Sequence, residues 1–334
     1  LAALAEGADV TMHEKSKFPR HKVCGEFLSP EIVPLLSNLG IWSAIAELDP
    51  PRYRRLGLYF RCDSERRPLR KSVTFSDRPY GLSRYRLDHL MLEHAQGSGG
   101  KLLREADPPI NGSARIIAHG RKPAGPAAAR ATGRRFGFKA HFEGPSEDAI
   151  ELYFFRGGYI GVNAIEGGRT NVCGLATEPL LSRYGFDIDG LVSELGPLRD
   201  RLEPLRRQMD WLHVGPLVYG YKWDEPESES SAYLAGDALS FVDPFTGTGI
   251  VSAVLTGSLA GRNAARGVSP STHLEECRGA LGGAYRASSL FRAVLGTEWA
   301  APLAKVIPGR MLVALTRPSL RSKIAGNLRE RATI

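Results

Sequence analysis

Between Arg135 and Glu143 hydrophobic and polar positions alternate strictly. Phe136, Phe138, Ala140 and Phe142 fall on one side, and Gly137, Lys139, His141 and Glu143 on the other. A period of two predicts a half-buried antiparallel strand with the phenylalanines inward. Lys139 and His141 then face solvent or a polar pocket, and neither is assigned as an acid or a base. Leu152–Phe155, Tyr159–Val162 and Thr170–Leu175 continue the sheet, with Glu166-Gly-Gly168 as a hairpin turn, and Leu212–Gly220 returns as a strand.

On either side of this region the pattern is different. Leu1–Glu6 reads as the end of a helix, Gly7 as its stop, and Asp9–His13 as a strand running into Glu14. Pro30–Leu39 is expected to be helical, with Ser29 as N-cap and Pro30 in the first turn. Arg54–Phe60 and Lys71–Phe75 are strand-like, Leu87–Gln96 helical, Ala114–Ala118 a short strand and Leu191–Arg207 a helix. From Ile250 onward the chain reads mostly as helices. The order predicts an α/β fold in three discontinuous pieces (1–50, 81–125 and 232–265) that together form a nucleotide-binding domain. A sheet-based domain (51–80 and 126–231) is inserted into it, and a helical region (266–334) follows.

Composition narrows the class without changing this picture. The chain has 334 residues, 43% hydrophobic and 24% charged, which is ample for a core. Its most apolar stretch, Trp299–Thr316, is interrupted by Lys305, Pro308 and Arg310, so no membrane span is expected. Leu1–Gly7 shows no secretory signal, and a cytoplasmic location is expected, with peripheral membrane contact left open. A net charge of +8 is spread among acids with no basic tract, so no nucleic-acid partner is expected. Cys24, Cys62, Cys173 and Cys277 form no CxxC pair, and the histidines show no HExxH spacing. A reducing compartment and no metal are the consequence.

Four stretches carry candidate chemistry. Glu14, an acid at a strand end, suits the acceptor of ribose hydroxyls in a βαβ dinucleotide unit. Lys17-Phe-Pro-Arg-His-Lys-Val-Cys-Gly-Glu-Phe-Leu-Ser-Pro30 combines four basic side chains with a Cys-Gly whose backbone N–H groups can approach an anion or a planar ring. Ser83-Arg-Tyr-Arg-Leu-Asp-His-Leu90 sets two arginines before a helix with Asp88 as a charge partner. Finally, Leu234-Ala-Gly-Asp-Ala-Leu-Ser-Phe-Val-Asp-Pro-Phe-Thr-Gly-Thr-Gly-Ile250 joins a strand-end acid to a close-approach loop and the positive end of a helix.

In this order the four stretches resemble the p-hydroxybenzoate-hydroxylase-like class of FAD-dependent oxidoreductases. Lys22–Glu26 and Gly236–Ile250 look most like its geranylgeranyl-reductase group, to which flavin-dependent halogenases are related. The resemblance implies a Rossmann-like FAD-binding domain. Glu14 would hold the adenosine ribose, Lys22 would supply charge, and Val23, Cys24 and Gly25 would line the flavin. Arg84 would sit near the pyrophosphate and Asp237 on the ribityl chain, with Pro244, Gly247, Thr248, Gly249 and Ile250 around the ring. The family's glycine-rich turn is not found before Glu14, so the resemblance also implies an N-terminal truncation. The expected activity is hydride transfer through FAD to or from a hydrophobic isoprenoid or polyketide-like substrate, with NAD(P)H as a candidate electron donor. The alternatives are a flavin-dependent monooxygenase or halogenase, and a truncated relative that is not catalytic.

Overall fold

An eight-stranded sheet organises the middle of the chain. Seven strands run in the order Arg206–Arg207, Arg135–Glu143, Arg169–Thr177, Gly158–Ile165, Ala149–Phe155, Arg55–Phe60 and Leu69–Thr74, and Leu212–Leu217 also pairs with Arg135–Glu143. Neighbours are antiparallel except Arg55–Phe60 against Ala149–Phe155. Strands from residues 55–74 therefore share one sheet with strands from residues 135–217. The computed structural model describes residues 1–60, 62, 69–104, 114–120, 134–217, 220–221, 232–241 and 247–295, with side chains as far as 282. The Trp299–Thr316 stretch lies outside the described residues.

One face of this sheet is a conventional core. Phe138, Phe142, Tyr153, Ile160, Val162 and Val172 pack beneath Leu181, Leu191 and Leu198 of three short helices. Those helices correct the expectation of one long helix at 191–207. They are Glu178–Arg183, Ile188–Glu194 and Gly196–Leu202, followed by the strand Arg206–Arg207. Pro197 is the reason: it lacks an N–H and opens a new helix instead of continuing the old one.

The remaining elements form the α/β part. Thr11–His13 pairs in parallel with Lys101–Leu103, and Ala232–Leu234 in parallel with Arg115–Ile117. Leu28, Ile32, Leu36, Leu87, Val251 and Leu255 share a second core. The helix Gly249–Ala265 crosses the first helix, Ala2–Ala5, so closely that a Cβ at Gly261 would lie 2.9 Å from the Ala3 nitrogen.

Two helix starts differ from expectation. Ile32–Asn38 begins later, with Glu31 at its N-cap position and no side-chain capping bond, so Ser29 does not cap it. Arg84–Gly97 begins earlier, because the Ser83 hydroxyl accepts the Arg86 N–H and nucleates the first turn. Among the described residues no helix is long and apolar enough to cross a membrane.

Candidate functional site

The opposite face of the large sheet is polar where the Lys22–Glu26 loop covers it. Pairing places Lys139 beside Cys173, and His141 beside Asn171, which in turn faces Asn163. Alternation along three strands thus assembles one polar patch from residues far apart in sequence. The loop docks on it through its backbone. Lys139 Nζ donates to the Lys22 carbonyl at 3.2 Å, and Asn171 Nδ2 to the Cys24 carbonyl at 3.2 Å. A Cβ on Gly137 would lie 3.2 Å from Val23, so the loop meets the sheet closely there.

Glu26 is the centre of the patch. Its carboxylate is fully buried, with Oε1 accepting from Lys139 Nζ and from the Arg84 N–H at 2.8 Å, and Oε2 2.7 Å from His141 Nε2. Burial pushes its pKa upward, but the His141 hydrogen bond and the Lys139 charge outweigh it and hold the carboxyl below the usual range. Glu26 also adopts φ +53, a left-handed backbone that costs a non-glycine residue about 1 kcal/mol or more. The three carboxylate contacts, with the Leu82 N–H donating to its carbonyl at 3.0 Å, hold it there. The half-buried His21 stacks on Tyr85 and meets the His141 ring edge-on, with centroids 4.7 and 5.0 Å apart. Burial, then the nearby His141 and Lys139, lowers the His21 pKa.

These positions decide between the two alternatives for Lys139 and His141 in favour of the polar pocket. Neither faces solvent: both are buried, and the strand is covered on both faces. Sequence reasoning missed Glu26, Lys139, His141 and Asn171 as a group. The available signal was two titratable residues in phase on one strand, plus an acid in the Lys22–Glu26 motif with no assigned task.

The C-terminal half of the expected site adjoins the same loop. Gly247 has φ +63 and lies against Phe27, where a Cβ would come within 2.6 Å of the ring. Thr248 is buried at the N-cap position of Gly249–Ala265, and Ile250 lies in the first turn. Gly236 reaches this helix through its N–H, which donates to Thr256 Oγ1 at 2.9 Å. Asp237 sits in a 3-10 turn, Gly236–Ala238, and is exposed rather than buried. Pro244 lies outside the described residues.

Two glycines near this junction border open space. Added Cβ atoms at Gly25 and Gly249 would meet nothing within 4 Å, whereas those at Gly247 and Gly137 would be in tight contact. The backbone is therefore approachable at Gly25 and at Gly249. The N–H groups without intrahelical partners at the start of a 17-residue helix add a positive potential to the same region.

Two other expected residues lie on separate elements. Arg84 directs its guanidinium onto Asp88, with Nε–Oδ1 at 2.6 Å and Nη2–Oδ2 at 2.8 Å, and Lys22 joins the same carboxylate at 2.6 Å. Burial and the adjacent Arg84 lower the Lys22 pKa. Glu14 follows the strand Thr11–His13 and accepts the Ser16 N–H at 2.7 Å, while Arg104 binds nearby carbonyls. The structure brings Lys22, Val23, Cys24, Gly25 and Gly247 together through the contacts above and ties Arg84 to the loop through Asp88. Among the described residues no hydrogen bond or ion pair links Glu14 to them. Among the described residues no group of His, Cys, Asp or Glu has a metal-binding arrangement.

No family model and no curated protein matches the chain. Solved structures do. The flavin-dependent brominase Bmp2, as a triple mutant, aligns over 100% of this chain and 95% of its own with a TM-score of 0.72 at 14% identity. A flavoprotein/dehydrogenase from Cytophaga hutchinsonii aligns over 94% and 89%, with a TM-score of 0.70 at 16% identity. The myxobacterial chondrochloren halogenase CndH aligns over 96% and 90%, with a TM-score of 0.67 at 18% identity. The chain therefore shares the mixed α/β architecture, with its Rossmann-like part, of flavin-dependent halogenases and related flavoproteins.

Proposed function

We propose that this chain is a flavin-dependent oxidoreductase whose FAD lies between the Lys22–Glu26 loop and the start of the Gly249–Ala265 helix. The observation that carries this reading is the open space beside Gly25 and Gly249, on elements that Phe27 and Gly247 bring into contact. Val23, Cys24 and Gly25 would line the ring on one side, and Gly247, Thr248, Gly249 and Ile250 on the other. Asp237 would accept from the ribityl chain, Glu14 from the adenosine ribose, and the Arg84–Lys22 pair would approach the pyrophosphate. Pro244 belongs to the same assignment. FAD supplies two-electron chemistry when bound. The helix start favours negative charge beside it, and the sheet excludes water from below.

The substrate we assign is a hydrophobic small molecule on the same face of the large sheet. Beyond the polar patch this face turns apolar: Phe154, Leu58 and Phe60 are buried there, with Leu152 and Tyr159 packed against them. Within the class we assign the chain to the geranylgeranyl-reductase group on the Lys22–Glu26 motif, with NAD(P)H as donor and hydride transfer as the reaction. A flavin-dependent monooxygenase or halogenase is the second reading, favoured by the architecture shared with the brominase and CndH.

Reconstitution with FAD tests the assignment. The expected result is a yellow protein near stoichiometric occupancy, and a Gly25→Ala variant that melts with the parent yet retains little flavin. A parent that stays colourless supports a non-catalytic relative instead. Halide-dependent product formation with reduced flavin and oxygen would select halogenation. Saturation of an alkene at the expense of NADPH would select the reductase.

A further inference from the structure

The two hydrogen bonds that dock the loop have a geometric consequence. Lys139 and Asn171 hold the carbonyls of Lys22 and Cys24, two residues apart, against the sheet. The peptides that follow are trans, so each N–H points opposite to its carbonyl. The Val23 and Gly25 N–H groups are thereby turned outward, away from the sheet. Neither donates to another described residue. Gly25 borders the open space noted above. Glu26 locks the end of the loop by accepting from Lys139, His141 and the Arg84 N–H.

We infer that Asn171 and Lys139 are positioning residues, which hold the Val23 and Gly25 N–H groups as outward donors to acceptor atoms of the flavin ring. This rests on the flavin reading above. It assigns a task to polar side chains on the buried face of the sheet that do not touch the cofactor themselves. Asn171 is the cleaner handle. Its Oδ1 is buried with no partner, so replacement by leucine removes an unsatisfied atom along with the donor to the Cys24 carbonyl.

The test compares the parent, Asn171→Leu and Val172→Ala by FAD titration, by the visible absorption band of bound flavin, and by melting without flavin. Val172 belongs to the core on the opposite face of the same strand, so its truncation weakens the fold without touching the loop. Asn171→Leu is expected to melt with the parent, to bind FAD about tenfold more weakly, and to shift the visible band. Val172→Ala should melt earlier and keep both the affinity and the band. If Asn171→Leu itself melts early, the paired variant Glu26→Gln with Lys139→Met releases the Lys22 carbonyl and is read in the same way. Unchanged affinity and band in the variant that folds overturn the positioning role alone. A parent that binds no FAD overturns the flavin reading as well, so the two failures are distinct.

Discussion

Single side chains show where this fold has no slack. At Gly81 a Cβ would fall 1.8 Å from the Tyr53 hydroxyl and 2.1 Å from the Ala164 carbonyl, which are themselves hydrogen-bonded. Backbone cannot retreat there, and Gly81→Ala should cost about 3 kcal/mol or prevent folding, as read by urea unfolding. The exposed Asp237 is a different case, because its assigned partner is the cofactor. Asp237→Ala should weaken FAD binding by about 1–3 kcal/mol through lost charge-assisted hydrogen bonds, and equal flavin retention would remove it from the site. The Gly-Asp pair and the two glycines after it were legible as a motif. That Asp237 is exposed while Glu26 is buried was not, since burial is a property of neighbours.

Elements depend on a few buried polar contacts. Ser83 caps Arg84–Gly97 and donates to Glu166 Oε1 at 2.5 Å, while its N–H donates to Glu166 Oε2 at 2.8 Å. Ser83→Ala should therefore destabilise the protein by about 1–2 kcal/mol in chemical denaturation. His273 fastens the last described helix to the Ala232–Leu234 strand through Nε2 and the Leu234 carbonyl, 2.9 Å apart. Burial lowers its pKa from 6.5, so the native state binds fewer protons than the unfolded chain. Stability should be full above pH 6.5 and fall as the pH drops below it, and melting of a His273→Gln variant across this range should lack that step. Periodicity located most strands to within a few residues. It failed at 191–207, where Gly196-Pro197 breaks an otherwise helical pattern, and at Ser29 and Ser83, where capping depended on which serine could reach a donor.

Across the whole molecule, the Glu26 cluster ties the loop at 22–27 to the sheet strand at 135–143. Lys139→Met leaves a buried carboxylate without its cation and should cost about 3–5 kcal/mol in unfolding free energy. Glu26 has a depressed pKa, so its contribution is complete above the unfolded value of 4.5 and is lost as the pH falls through the folded one. Acid titration of Glu26→Gln should show a shallower loss of stability in that range, and an unchanged slope would mean the cluster is not the acid-sensitive element. By itself the sequence determined the period-two sheet, the flanking α/β elements and the two glycine-bearing motifs, because these depend on local spacing and backbone preference. Only the tertiary structure decided that Lys139, His141 and Asn171 meet Glu26 and Cys24 across more than a hundred residues, and that Gly247 rests on Phe27. Pairing register and burial set those contacts, and neither is encoded in any one segment.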